Sequence, residues 1–249
     1  MAENFTELFN RWRSKENHKG AEFVEDGIID PKRWNKSNRK ILFILKEAYM
    51  APDKKFTNLC ELFFENDILD IPLADPHYKM WWTAALWAYG IKYFEKGKIL
   101  RIQPFDGDID ANAKVKEALL SCAVIDIKKS GGTSISNNND LKKYASEDLD
   151  LIREEIELVK PNLIICGNTF DLVHQIWTDK KDEDEIDNYD MVYKCEDTYI
   201  VDYWHPGGIY PQKMTYYSLM ALIHNSGYLD KYKPDTYGQK PNRYTTISP

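Results

Sequence analysis

Leu151-Ile152-Arg153-Glu154-Glu155-Ile156-Glu157-Leu158-Val159-Lys160-Pro161-Asn162-Leu163-Ile164-Ile165-Cys166-Gly167 reads as a helix, a hard stop and a buried strand. The helix belongs to a longer stretch, roughly Ser146 to Lys160, in which Leu149, Ile152, Ile156 and Val159 form one stripe at helical spacing. Ser146 is suited to cap it, and Glu147 and Asp148 suit the positive end of its dipole. Pro161 cannot continue the helix. The apolar run Asn162 to Cys166 then reads as a strand covered on both faces, ending at Gly167-Asn168-Thr169.

The same alternation recurs outward from this segment. Ile41-Leu42-Phe43-Ile44-Leu45 is an unbroken apolar run that ends at Lys46-Glu47-Ala48-Tyr49, and Cys122 to Ile127 is a second. The latter runs out into Lys128-Lys129-Ser130-Gly131-Gly132-Thr133-Ser134 and Asn137 to Asn139, which the composition predicts as a flexible polar loop. Met191 to Lys194 and Tyr199 to Val201 predict a strand pair. Helical spacing predicts helices over Phe5 to Trp12, Thr57 to Phe64, Met80 to Phe94, Val115 to Leu120, Phe170 to Trp177 and Tyr216 to Leu229. Met80 to Phe94 is apolar nearly all round, which places it deep in the fold. Short apolar strands alternating with helices predict an α/β fold with a central, mostly parallel four-stranded sheet. The 249 residues are expected to form one domain, with a core about 41–229, a helical N-terminal extension and an irregular tail from Lys231.

Composition narrows the function. The most apolar segment is interrupted by Thr83, Gly90 and Lys92 and is too short to span a bilayer, so a soluble, cytoplasmic protein is expected. Cys60, Cys122, Cys166 and Cys195 make no C-x-x-C pair, which argues against zinc and iron–sulfur sites; no metal and no cofactor is expected. The net charge of -7 is unevenly spread: Asp179 to Asp190 is a dense acidic block that reads as a solvated loop, while Lys32 to Lys40 and Lys128-Lys129 are locally basic.

Residues able to do chemistry cluster at the strand ends, where ligands bind in such sheets. The first central strand delivers Glu47 and Tyr49, the second Asp126 and Lys128, the third Asn168. The last leads through Asp202-Tyr203-Trp204 into His205-Pro206-Gly207-Gly208-Ile209-Tyr210, where proline and two glycines force a sharp turn beyond the histidine. A carboxylate, a second acid, an amide and a histidine on one rim constitute a candidate site. Asn168 also reads as a cap for the helix that follows it.

This arrangement resembles the uracil-DNA glycosylase superfamily over roughly Ile41 to Ile223. Leu45-Lys46-Glu47-Ala48-Tyr49 stands where the family has its first motif. His205-Pro206-Gly207-Gly208-Ile209 is similar to the family's His-Pro-Ser motif with its apolar wedge. Leu151 to Gly167 is similar to its helix–Pro–strand–Gly segment. The chain departs from the family at Lys46, where a glycine is usual, at Gly207, where a serine is usual, and at Asp126, which replaces a base-reading asparagine. The iron–sulfur cysteines of some branches are absent.

The resemblance implies a three-layer α/β/α fold and a DNA glycosylase that flips a base out of DNA and hydrolyses its N-glycosidic bond; a monomer is expected. It implies Glu47 and His205 as catalytic residues and Tyr49, Asp126 and Asn168 as base-binding residues. Ile209 and Tyr210 would fill the gap left by the flipped base, and Lys128, Lys129, Ser130 and Lys213 would hold phosphates. A protonated Asp126 both donates and accepts, which suits cytosine or a modified cytosine over uracil. Such bases occur in phage DNA, so repair and antiviral defence are both expected roles. Two other classes fit the same residues: a non-catalytic reader of a nucleic-acid base, and an N-glycosidase acting on a free nucleoside or nucleotide.

Overall fold

The structure is a computed structural model that describes residues 2–50, 56–65, 79–96, 99–102, 109–133, 135–178, 187–189 and 191–236. In chain order its strands are β1 (Gly27–Ile28), β2 (Ile41–Tyr49), β3 (Ala123–Gly132), β4 (Leu163–Gly167), β5 (Asp187–Tyr189), β6 (Val192–Cys195) and β7 (Thr198–Tyr203). The helices are α1 (Phe5–Arg13), α2 (Pro31–Lys36), α3 (Leu62–Glu65), α4 (Lys79–Lys92), α5 (Ile109–Leu120), α6 (Asn138–Val159), α7 (Phe170–Val173), α8 (Gln175–Thr178), α9 (Gln212–Asn225) and α10 (Tyr228–Lys231).

All strands join one sheet in the order β1-β3-β2-β4-β7-β6-β5. β3, β2, β4 and β7 are mutually parallel; β1 pairs antiparallel with β3 at one edge, and at the other β6 pairs antiparallel with β7 and β5 with β6. The sheet therefore has seven strands and not the four expected, the apolar runs supplying only its middle. β1 and β5 are too short to show a pattern in sequence.

Strand alternation divides the core in two. Ile41, Phe43 and Leu45 of β2, Val124 of β3, Leu163 and Ile165 of β4, and Tyr199 and Val201 of β7 pack with α4, α5, α9 and α10. Leu42, Ile44, Ala123, Ile125, Ile164, Cys166 and Ile200 pack on the opposite side with α1 and α6. Helices on both faces of a mostly parallel sheet make three layers. α4 is buried round most of its circumference, as its composition predicts. Among the described residues no helix is long and apolar enough to cross a membrane.

Several boundaries differ from the sequence reading. α6 starts at Asn138, not near Ser146, because Asn137 accepts from the N–H groups of Asn139 and Asp140 and so caps it. Leu141, Ala145 and Asp148 extend its buried stripe. The expected loop from Lys128 is the second half of β3, which pairs with β2 out to Gly132. Helix Phe170 to Trp177 breaks into α7 and α8, and Tyr216 to Leu229 breaks into α9 and α10 at Gly227, which takes a φ of 80°. Of Thr57 to Phe64, only the end is helical. Within the acidic block Asp187–Tyr189 pairs with β6; residues 179–186 and 190, and the tail beyond 236, lie outside the described residues.

Arg39 locks the entry to β2. Its buried guanidinium donates to the carbonyls of Ile91 (2.5 Å), Phe94 (3.0 Å), Leu229 (3.1 Å) and Tyr232 (2.8 Å), at the ends of α4 and α10. Beside it, buried Lys92 donates to Ser37 Oγ and the Arg39 carbonyl, each at 2.7 Å.

Candidate active site

The candidate residues lie along the carboxyl-terminal halves of β2 and β3 and just beyond the ends of β4 and β7. Leu45 registers with Asp126 and Glu47 with Lys128. Side chains two apart on a strand share a face, so Glu47 and Asp126 point with Leu45, while the head of Lys128 reaches Asp140 and the Tyr144 ring on α6. A bulge between Glu47 and Tyr49 shifts the register to Tyr49 opposite Gly132. The Glu47 side chain is only 6% exposed and lies against the Gly132 backbone, where an added Cβ would overlap its Cγ and Cδ. Its Oε2 is 3.0 Å from Lys128 Nζ. Lys128 also donates to Asp140 Oδ2 at 2.7 Å, in the first turn of α6.

Asp126 is buried, and its backbone N–H donates to Asp26 Oδ2 at 2.7 Å. Burial, then the neighbouring Asp26, push its carboxyl up to about 8, against the pull of Lys129. The shift favours the protonated acid, which both donates and accepts.

β7 delivers His205 two residues beyond its end. The Gly207 N–H donates to His205 Nδ1 at 3.1 Å and the Gly208 N–H to the His205 carbonyl at 2.8 Å, so the turn fixes the ring. Burial and the nearby Lys46 cation lower the imidazole to about 4. Nδ1 accepts, so the neutral ring carries its proton on Nε2. Pro206 packs over Gly167 at the end of β4: a Cβ on Gly167 would lie 2.7 Å from Leu45 Cδ2 and 3.3 Å from Pro206 Cδ. The bare backbone of Gly167 is thus what lets the His-Pro turn close against β2.

The other expected residues divide. Tyr49 ends β2 exposed, and Ile209 is 93% exposed with exposed Tyr210 beside it. Lys213 is exposed near the start of α9. Asn168 is exposed in a left-handed turn with φ of 58°, its N–H donating to Tyr203 O at 2.6 Å. The cap position of α7 is Thr169, so Asn168 is not a cap.

Lys129 and Ser130 are corrections. Adjacent residues on a strand face opposite ways, so Lys129 points into the α1 and α6 layer, 0% exposed. There it meets Asp26 Oδ1 (2.5 Å) and Glu155 Oε2 (2.7 Å), 4.8 Å from the centre of the Trp12 ring. Ser130 is buried in a bridge with Phe23. Neither is placed to touch phosphate. Lys128 is engaged by two carboxylates rather than free for one.

Sequence reasoning missed Asp26, Asp140, Gly132 and Glu155. Glu155 left a signal, since it sits three residues after Ile152 on the apolar stripe of α6. Asp26 left none, because only the tertiary fold brings it to Asp126 and Lys129. No protein-family model matches the chain, and no curated protein shows significant similarity to it.

Proposed function

We propose that this chain is a DNA glycosylase with the fold and strategy of the uracil-DNA glycosylase superfamily, acting on a cytosine-type or modified cytosine base. The observation that carries the reading is His205. Its Nδ1 is occupied by the Gly207 N–H, which leaves Nε2 to carry the proton of the neutral ring, and it stands just beyond the end of β7, two strands over from β2 with Glu47; burial and the Lys46 cation favour that neutral form.

Cleaving an N-glycosidic bond builds positive charge on the sugar and negative charge on the departing base. Glu47 stabilises the sugar cation and orients the attacking water. The Nε2–H of His205 donates to the developing base anion, as a preorganised dipole in a partly desolvated site. Asp126 donates its carboxyl proton to the ring nitrogen and accepts from the exocyclic amino group of a cytosine-type base; the uracil edge presents the opposite pattern there. Tyr49 and Asn168 bound the base, Ile209 and Tyr210 occupy the gap it leaves in the stack, and Lys213 meets the backbone. The biological role that follows is repair, or defence against DNA carrying modified cytosines.

The test is a panel of DNAs containing uracil, hypoxanthine, cytosine, hydroxymethylcytosine and glucosylated hydroxymethylcytosine. Each is incubated with wild type and Glu47→Ala and then treated with alkali. Cleavage of a cytosine-type substrate that vanishes in Glu47→Ala is expected. DNA binding with no abasic product would make the chain a base reader. Turnover of a mononucleoside without DNA binding would make it a nucleoside N-glycosidase.

A further inference from the structure

Ile209 is not an isolated apolar tip. Tyr210, Met214 and Tyr217 are also exposed. Met214 and Tyr217 lie one turn apart on α9, and Tyr210 precedes that helix directly, so the three form a strip running from the His205 turn along its outer face. The inner face of α9 is committed to the core through Thr215, Tyr216, Leu219, Met220 and Ile223. The strip is left partly open, with Tyr210 and Met214 each 42% exposed and Tyr217 38%. Its rings are braced from behind: Tyr210 packs 4.8 Å from Trp204, and Tyr217 packs 5.1 Å from Tyr216.

The charge of this region is also unlike the rest of the chain. From Tyr203 to Leu229 there is no aspartate or glutamate, in a protein that has 40 of them, and Lys213 stands among the strip residues. A segment that brings a lysine and no carboxylate suits a polyanion. Braced, exposed aromatic rings suit nucleobases, whose π-faces stack with little regard to sequence. Bases present those faces only when unpaired.

We propose that Tyr210, Met214 and Tyr217 form a stacking surface for the unpaired bases that flank the target nucleotide, so that single-stranded DNA is the preferred ligand. The proposal shares the DNA-binding part of the function given above and is independent of the chemistry assigned to Glu47 and His205.

Fluorescence anisotropy tests it, with a labelled oligothymidylate strand and a duplex of equal length. Wild type is expected to bind the single strand about tenfold or more tighter than the duplex. The Met214→Ala/Tyr217→Ala double variant is expected to lose about tenfold to a hundredfold of single-strand affinity, with Tyr217→Trp retaining it. Circular dichroism melts check that the variants stay folded. Equal binding of strand and duplex by wild type, or undiminished strand binding by the folded double variant, would overturn the proposal. So would a wild-type dimer in sedimentation that the double variant dissolves, since the strip would then be a self-association surface. Excision assays run alongside separate the two readings. Strip-dependent strand binding without any abasic product sinks the glycosylase and leaves the stacking surface. Abasic product from duplex alone, unaffected in the double variant, does the reverse.

Discussion

Lys128 Nζ lies 3.0 Å from Glu47 Oε2 and 2.7 Å from Asp140 Oδ2, so the cation midway along β3 is anchored to α6 and braces the carboxylate on β2. Lys128→Met should leave Glu47 without its cation and lower excision by about 10- to 100-fold, with Lys128→Arg recovering much of the loss. Glu47→Ala should remove about 10²–10⁴-fold, the ordinary worth of a positioned acid–base group. Single-turnover rates on the preferred substrate check both. A Lys128→Met enzyme as fast as wild type would mean that the pair only holds the fold.

Gly132→Ala separates position from stability. The new methyl group would overlap Glu47 Cγ and Cδ, which belong to a flexible side chain that can swing aside. Excision should therefore fall by about tenfold or more while the melting temperature changes little, because a small displacement from productive geometry is costly to rate. Rate and thermal melt measured on the same preparation decide this.

The low value of His205 fixes the direction of its pH dependence. The folded ring titrates near 4 and an unfolded one near 6.5, so the native state refuses a proton that the unfolded chain accepts. Stability is lost as pH falls from 6.5 towards 4, and excision should show no acid limb near 6.5. Lys46→Met should raise the imidazole only part of the way back, because burial is the larger cause and remains. The Cε1–H resonance, followed by NMR titration, reports this directly. A wild-type midpoint at or above 6.5 would remove the neutral-donor role.

Asp126 runs the other way. Its folded carboxyl is raised to about 8 from an ordinary 3.8, so the stability tied to its proton is present at low pH and lost as pH rises through about 8. Asp126→Asn should raise the melting temperature at pH 8 more than at pH 5, by about 2–4 °C per kcal/mol relieved in a chain of this size. The same substitution should shift preference from cytosine-type bases towards uracil. Equal excision of uracil by wild type and Asp126→Asn would sink the assignment.

Lys129→Met should leave Asp26 and Glu155 buried without their cation and cost about 3–5 kcal/mol in urea unfolding. It should not alter the salt dependence of DNA binding. Lys213→Ala, which removes an exposed cation, should reduce that slope by about one unit.

The central strands were legible because β2, β3, β4 and β7 are buried on both faces and read as apolar runs. The rim was legible where proline and glycine punctuate it, as at His205. The far half of β3 was not, because Lys128, Lys129, Ser130, Gly131 and Gly132 look like a loop. Lys129 is tolerated inside only because Asp26 and Glu155 meet it there. The two glycines are needed because Met50 and Glu47 pack onto them. Those partners come from distant segments, and no local pattern announces them.

Arg39 has a consequence for the order of events during synthesis. It emerges just before β2, yet two of its carbonyl partners belong to Leu229 and Tyr232. A growing chain therefore carries Glu47 for most of translation while the arginine beside its strand lacks half of its shelter. Domains complete folding as units, and here two of the closing contacts come from α10 and the residue that follows it, far along the chain from β2. Both halves of the rim then become secure together, so nascent chains stopped before Leu229 should be targets for proteolysis rather than partly active enzymes.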